Sequence, residues 1–221
     1  MAPPVFAPGF LFPPYGLKWG PVRTAFLIDG FNFYHSIKNV DDRLKWFDFF
    51  GYCSHFLSSK DSLHSIHYFS ALATWRPGSS SRHKIYIEAL QHYGIHVVLG
   101  EFKTKTKWCK NCRTQYQDHE EKATDVNLAL HAYRLAAQSN AERIILVSGD
   151  TDMLPAIRLI KQDFPHKEPG VIFPYQRKNS QLSNEVSFHR KTSLKILPQF
   201  QLPDNLTLAS GKTITRPQEW C

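Results

Sequence analysis

Two unbroken apolar runs stand out from the mixed pattern of the chain. Thr24-Ala-Phe-Leu-Ile-Asp29 ends in Asp-Gly, and Arg143-Ile-Ile-Leu-Val-Ser148 repeats the pattern ahead of Gly149-Asp150. Runs this short, with no polar alternation, predict strands covered on both faces, as in a parallel sheet flanked by helices. Further strands are expected at about 64–71, 95–100, 170–173 and 193–197. Helical spacing predicts helices near 32–37, 47–57 and 81–93, the last with Ile85, Ala89 and Leu90 as its core stripe. The clearest helical pattern covers 121–138, where Val126, Leu128, Ala129, Leu130, Ala132, Leu135 and Ala136 form a wide apolar face. One more helix is expected over 153–161.

Strands alternating with helices predict an α/β fold with a mainly parallel central sheet, right-handed crossovers and helices on both faces. With 221 residues, 42% of them hydrophobic, the chain suits one domain with a full core. That domain is expected over 23–197. Ahead of it, an irregular arm (1–22) carries Pro3, Pro4, Pro8, Pro13, Pro14 and Pro21, which break any helical run. Behind it, a C-terminal extension (198–221) with Pro198, Pro203 and Pro217 is expected to be surface-bound or mobile. Residues 101–119 form a polar stretch that reads as a long irregular insertion.

Four cysteines are too few for a disulfide framework and point to a reducing, cytoplasmic setting. No run approaches the roughly 20 apolar residues of a transmembrane helix, so no membrane partner is expected. The net charge of +8 favours polyanions, although a merely basic soluble protein would share it.

Chemistry enters through the carboxylates. Asp29 and Asp150 each follow an apolar strand directly, and open parallel sheets bind ligands beyond the carboxyl ends of their strands. Asp152 lies two residues further on, while Glu121 and Asp125, four apart, would share a face of the predicted helix. Each has an ordinary explanation on its own: Asp29 as a turn former before Gly30, Asp152 as a helix N-cap, Asp125 as an exposed helical carboxylate. Gathered at one point, they would repel one another and hold either protons or a cation, with Mg2+ or Mn2+ the natural match for hard oxygen donors.

Three segments carry a family resemblance: Phe26-Leu-Ile-Asp-Gly-Phe-Asn32, Glu121-Lys-Ala-Thr-Asp-Val126 and Val147-Ser-Gly-Asp-Thr-Asp152. They resemble the signatures of NYN domains, the PIN-like nucleases related to the LabA proteins, over about 24–197. The resemblance implies a three-layer PIN-like, Rossmannoid fold. It also implies a metal-dependent ribonuclease acting on RNA or single-stranded nucleic acid, with Asp29, Asp125, Asp150 and Asp152 as ligands of Mg2+ or Mn2+. Asn32 and Glu121 join them in the catalytic set, and Ser148 and Thr151 are expected to position loops. A homodimer is compatible with this reading.

Two rivals are carried forward. Some NYN-like proteins with a stretch similar to Lys45-Trp-Phe-Asp48 hydroxylate 6-hydroxy-3-succinoylpyridine with NADH, although no dinucleotide fingerprint is visible here. The other rival is a non-catalytic RNA-binding regulatory module, against which the intact carboxylates argue.

Within 101–119, Lys103, Lys105, Lys107, Lys110 and Arg113 surround Trp108, with Tyr116 following. The mixture suits phosphate attraction with base stacking, or equally a solvated loop with its aromatics packed inward. Cys109-Lys-Asn-Cys112 has the spacing of half a zinc site, with His119 the nearest third ligand. Structural Zn2+, a plain thiol pair and redox use all stay open. His55, His67 and His131 read as ordinary packed or surface residues.

Overall fold

The two apolar runs lie side by side at the centre of a seven-stranded sheet. The computed structural model describes residues 20–221, so nearly all of the expected N-terminal arm falls outside it. In chain order the elements are β1 (Val22–Asp29), α1 (Gly30–Ile37), α2 (Phe49–His55), β2 (Asp61–Ala71), α3 (Pro77–His92), β3 (His96–Trp108) and β4 (Gln115–Lys122). There follow α4 (Thr124–Gln138), β5 (Arg143–Val147), α5 (Leu154–Asp163), β6 (Glu168–Phe173), α6 (Ser180–Glu185), β7 (Phe188–Lys191), β8 (Asn205–Thr207) and β9 (Thr213–Thr215). The sheet order is β4-β3-β2-β1-β5-β6-β7, and every neighbouring pair is parallel except β3 and β4.

Strand periodicity sorts the side chains into two cores. Phe26, Ile28, Tyr68, Ile145, Val147 and Ile172 pack against α1, α2 and α3 on one face. Leu27, Phe69, Ile144, Leu146, Val171 and Phe173 pack against α4, α5 and α6 on the other. Phe26, Leu27 and Ile28 have no exposed surface, and full burial of such a side chain stabilises by about 1.5–3 kcal/mol. The result is the three-layer α/β arrangement that the alternation of elements predicts. Among the described residues, no helix is long and apolar enough to cross a membrane.

Several expectations are corrected. The stretch 101–119 is ordered: β3 and β4 form an antiparallel hairpin in register from Glu101↔Lys122 to Trp108↔Gln115. Its residues alternate with period two, and ion pairs such as Lys107–Asp118 link the strands, so its charge hides a strand pattern. The long helix begins at Thr124, not at 121, because Ala123 takes a left-handed φ of 72° between β4 and α4. The late strand lies at Phe188–Lys191, since Pro198 starts a short 3-10 turn at Leu197–Gln199. α6 has no counterpart in the sequence reading.

The C-terminal extension is part of the core. Phe200, Leu202, Leu206 and Ile214 are buried in the α1–α3 layer, and Trp220 packs against it. Backbone groups lock the segment down: Asp48 N donates to Phe200 O at 3.1 Å, and Leu202 N donates to Trp46 O at 3.1 Å. The Trp46 indole N–H donates to Pro203 O at 2.9 Å. Prolines here shape turns and do not signal disorder. Phe200→Ala, which empties a site between Phe47, Tyr52 and His55, is expected to cost about 3–5 kcal/mol in urea unfolding. A loss below about 1 kcal/mol would make the segment peripheral.

Candidate active site

The order of the sheet creates a crevice at its centre. From β1 the chain moves one way to β2, and β5 lies on the other side of β1, so α1 and α5 leave the sheet on opposite faces. Ligands bind at such a switch point, beyond the carboxyl ends of the strands. Asp29 closes β1 and Asp150 follows β5 there.

Asp29 is held on both oxygens. Its Oδ1 accepts from Asn32 N at 2.9 Å, capping α1, and its Oδ2 accepts from Ser148 Oγ at 2.8 Å. Ser148 Oγ in turn accepts from Asp150 N at 3.1 Å, and Asn32 Oδ1 accepts from Gly149 N at 3.1 Å. Asp150 Oδ1 accepts from Asp152 N at 3.0 Å, so Asp150, not Asp152, caps the turn that follows. Two glycines allow these close approaches. A Cβ on Gly30 would lie 2.6 Å from Phe69 O, and one on Gly149 would lie 2.1 Å from Arg177 O.

Above this network opens a cleft of about 760 Å³ lined by Asp29, Asn32, Glu121, Asp125 and Asp150. Glu121 arrives from the end of β4 and Asp125 from the first turn of α4, so two elements supply what the sequence placed on one helix. Asp152 stands outside the lining, although its charge acts on Asp125. Aromatic side chains form one wall. Trp75 and His119 stack with centroids 3.8 Å apart, and Phe102 meets Trp75 at 4.6 Å and Phe31 at 5.8 Å. Arg76 and Arg177 add positive charge to the lining, where Lys45 and Arg82 are ion-paired with Asp42 and Glu219. Trp75, Arg76 and Arg177 were not singled out from the sequence, although all three follow the carboxyl ends of parallel strands, the rule that found Asp29 and Asp150.

The NYN domain family model matches residues 23–187, three quarters of the chain. The chain belongs to the NYN domain family. Membership supports a PIN-like nuclease ancestry for the site. A curated relative, the 6-hydroxy-3-succinoylpyridine 3-monooxygenase HspA of Pseudomonas putida, is 28% identical over 201 residues, covering 75% of this chain. The chain spans 64% of that protein's length. A crystal structure of a protein of unknown function from Vibrio parahaemolyticus superposes with a TM-score of 0.55 and 20% identity. It covers 85% of this chain and 100% of its own, and shows the fold alone.

In this NYN domain the carboxylates share one field. Burial, then repulsion from Asp125 and Asp150, raises Asp29 to about 6 against the two hydrogen bonds that lower it. Burial, then Asp125 and Asp29, raises Glu121 to about 7. Asp125 is raised by partial burial, then by Asp150 and Asp152. Glu121 Oε1 is buried without a hydrogen-bond partner. An all-oxygen, mutually repelling donor set with an orphaned carboxylate oxygen fits a hard divalent cation. The fit is one of chemistry: among the described residues, no group of three or more His, Cys, Asp or Glu is already gathered as a metal cage.

The hairpin divides between its base, where Phe102, His119 and Glu121 line the cleft, and its outer part, which stands away from it. Cys109 and Cys112 sit in its turn, where Cys112 Sγ lies 2.9 Å from the Thr114 hydroxyl, which with Cys109 lowers the thiol pKa. His119 belongs to the cleft, stacked on Trp75 and 3.2 Å from Thr104 Oγ1, and the structure does not bring it together with Cys109 and Cys112 in the turn. Lys103, Lys105 and Lys107 pair with Glu101, Glu120 and Asp118, and none of them, nor Trp108, Lys110 or Arg113, lines the cleft. Exposed pairs of this kind contribute about 0–1 kcal/mol, but they offset the charge of these three lysines.

Asp29 and Glu121 bind protons more tightly folded than unfolded, so the metal-free fold loses stability as pH rises from about 4 to about 7. For Asp29 this amounts to on the order of 2–3 kcal/mol at neutral pH. In chelator-treated protein, Asp29→Asn is therefore expected to raise Tm at about pH 7.5 and to change it much less at about pH 4.5. Equal destabilisation at both pH values would show that the lost cap outweighs the relieved charge.

Proposed function

We propose that this chain is a divalent-metal-dependent endoribonuclease, hydrolysing phosphodiesters of RNA or other single-stranded nucleic acid. The observation that carries this reading is the convergence of Asp29, Glu121, Asp125 and Asp150 on one cleft, with carboxyl pKa values pushed up by burial and mutual repulsion. Asp29, Asp125 and Asp150, with Asp152 at the rim, would hold Mg2+ or Mn2+. Such an ion, when bound, lowers the pKa of water and neutralises charge developing on a phosphodiester.

The chain's own groups have distinct tasks in this reading. Glu121, pushed to about 7, can exchange a proton with water near neutral pH, as a general acid–base group must. Asp29 is held rigid by Asn32 N and Ser148 Oγ, so its carboxylate needs little reorganisation. Asn32 spends its Oδ1 on Gly149 N and turns its amide N–H donors to the substrate. Arg76 and Arg177 attract phosphates, while the aromatic wall of Phe31, Phe102 and the Trp75–His119 stack offers apolar surface to bases.

A second reading follows from the similarity to HspA, whose name describes a pyridine monooxygenase, and from an aromatic-walled cleft wide enough for a small ring. Hydroxylation would require reducing equivalents, supplied by NADH, and an oxygen-activating centre. One comparison separates the two. Purified protein with Mg2+ or Mn2+ is expected to cleave labelled single-stranded RNA, and Asp150→Asn to lower the rate by at least about 100-fold while keeping the fold. NADH consumption coupled to pyridine hydroxylation, with no RNA cleavage, would promote the second reading. RNA binding by wild type with neither activity would leave a binding module.

A further inference from the structure

We infer that the uncharged face of the β3–β4 hairpin is a track for single-stranded RNA, running from the cleft to Trp108 at the tip. The inference rests on the nuclease reading above and names where the substrate lies beyond the scissile bond.

Strand alternation separates the hairpin into two faces. Phe102, Thr104, Thr106 and Trp108 pair across the strands with Glu121, His119, Gln117 and Gln115. Phe102, His119 and Glu121 of this set line the cleft, so the same face continues outward from it. Beyond Glu121 it carries no carboxylate, lysine or arginine: Gln117 Nε2 donates to Thr106 Oγ1 at 3.1 Å, and Thr104 Oγ1 meets His119 Nδ1 at 3.2 Å. Glu101, Lys103, Lys105 and Lys107 lie on the opposite face with Tyr116, Asp118, Glu120 and Lys122. There the four lysines pair with three carboxylates, Glu120 being shared by Lys105 and Lys122.

The uncharged face ends in a large ring held in water, since Trp108 is 58% exposed. From Phe102 to Trp108 the strand runs about 20 Å, enough for several nucleotides. Aromatic rings at both ends, with amide and hydroxyl groups between them, match the stacked and edge-bonded bases of unpaired RNA. Phosphates then face solvent and the cations of the cleft mouth. Stacking along such a strip adds little dependence on salt, because no counterions are released by an uncharged face.

The test measures binding to Asp150→Asn protein by fluorescence anisotropy, using single-stranded RNAs of about 4 and about 12 nucleotides. Adding Trp108→Ala is expected to weaken the longer RNA about tenfold and to shrink its advantage over the shorter one by the same factor. The salt slope for the longer RNA stays the same, and Trp108→Phe restores most of the affinity. Tyr116→Ala, at the same tip but on the other face, changes neither RNA. If Trp108→Ala leaves the longer RNA unaffected while wild type still cleaves it, the track is wrong and the nuclease reading stands. If wild type neither binds nor cleaves either RNA, both fall together. Loss of affinity on Tyr116→Ala or Lys107→Ala, with Trp108→Ala silent, would move the track to the charged face.

Discussion

A carboxylate with almost no access to water is the constraint on which the upper edge of the sheet depends. Asp29 is 6% exposed at the end of the central strand, and an unsupported charge there would cost several kcal/mol. Support comes from the Asn32 N–H in the first turn of α1 and the Ser148 hydroxyl in the loop after β5. Each support is itself tied onward, Ser148 to Asp150 and Asn32 to Gly149, whose missing side chain admits the Arg177 backbone. The start of α1 and the loops after β5 and β6 therefore form one unit, and displacing any of them unseats the buried charge.

This unit places negative charge at the floor of a cleft in a chain whose overall charge is +8. The long-range field draws a polyanion in, while the floor repels it at short range until a cation intervenes. If the proposed activity holds, recruitment and chemistry would fall to separate groups, Arg76 and Arg177 at the walls serving the first and the carboxylates the second.

The parts of the fold legible in the sequence are those where local pattern and tertiary role coincide. β1 and β5 are covered on both faces, so their unbroken apolar runs announce them, and the strand-end rule then locates Asp29 and Asp150. The hairpin was illegible because Lys, Thr and Glu dominate strands that hang from the sheet edge, where no core demands apolar residues. The sequence pattern carries Glu121 into the helix, since only the backbone at Ala123, with its positive φ, separates strand from helix. Trp75, Arg76 and Arg177 escaped notice because their loops carry no motif, and their convergence is a property of strand order alone. The prolines of the last segment resembled a tail, yet its sparse apolar residues meet aromatic partners far away in sequence.

That last pairing has a kinetic side. Trp46 and Pro203 are joined by a hydrogen bond across 157 residues, and closing so long a loop is entropically expensive. Contacts of such separation slow folding, since chain entropy is surrendered before they repay it. During synthesis from the N-terminus, Trp46, Phe47 and Tyr52 would emerge long before Phe200 and Leu202 exist to cover them. Through that interval the nascent chain carries an open aromatic surface, a natural target for a holding chaperone and a liability for aggregation.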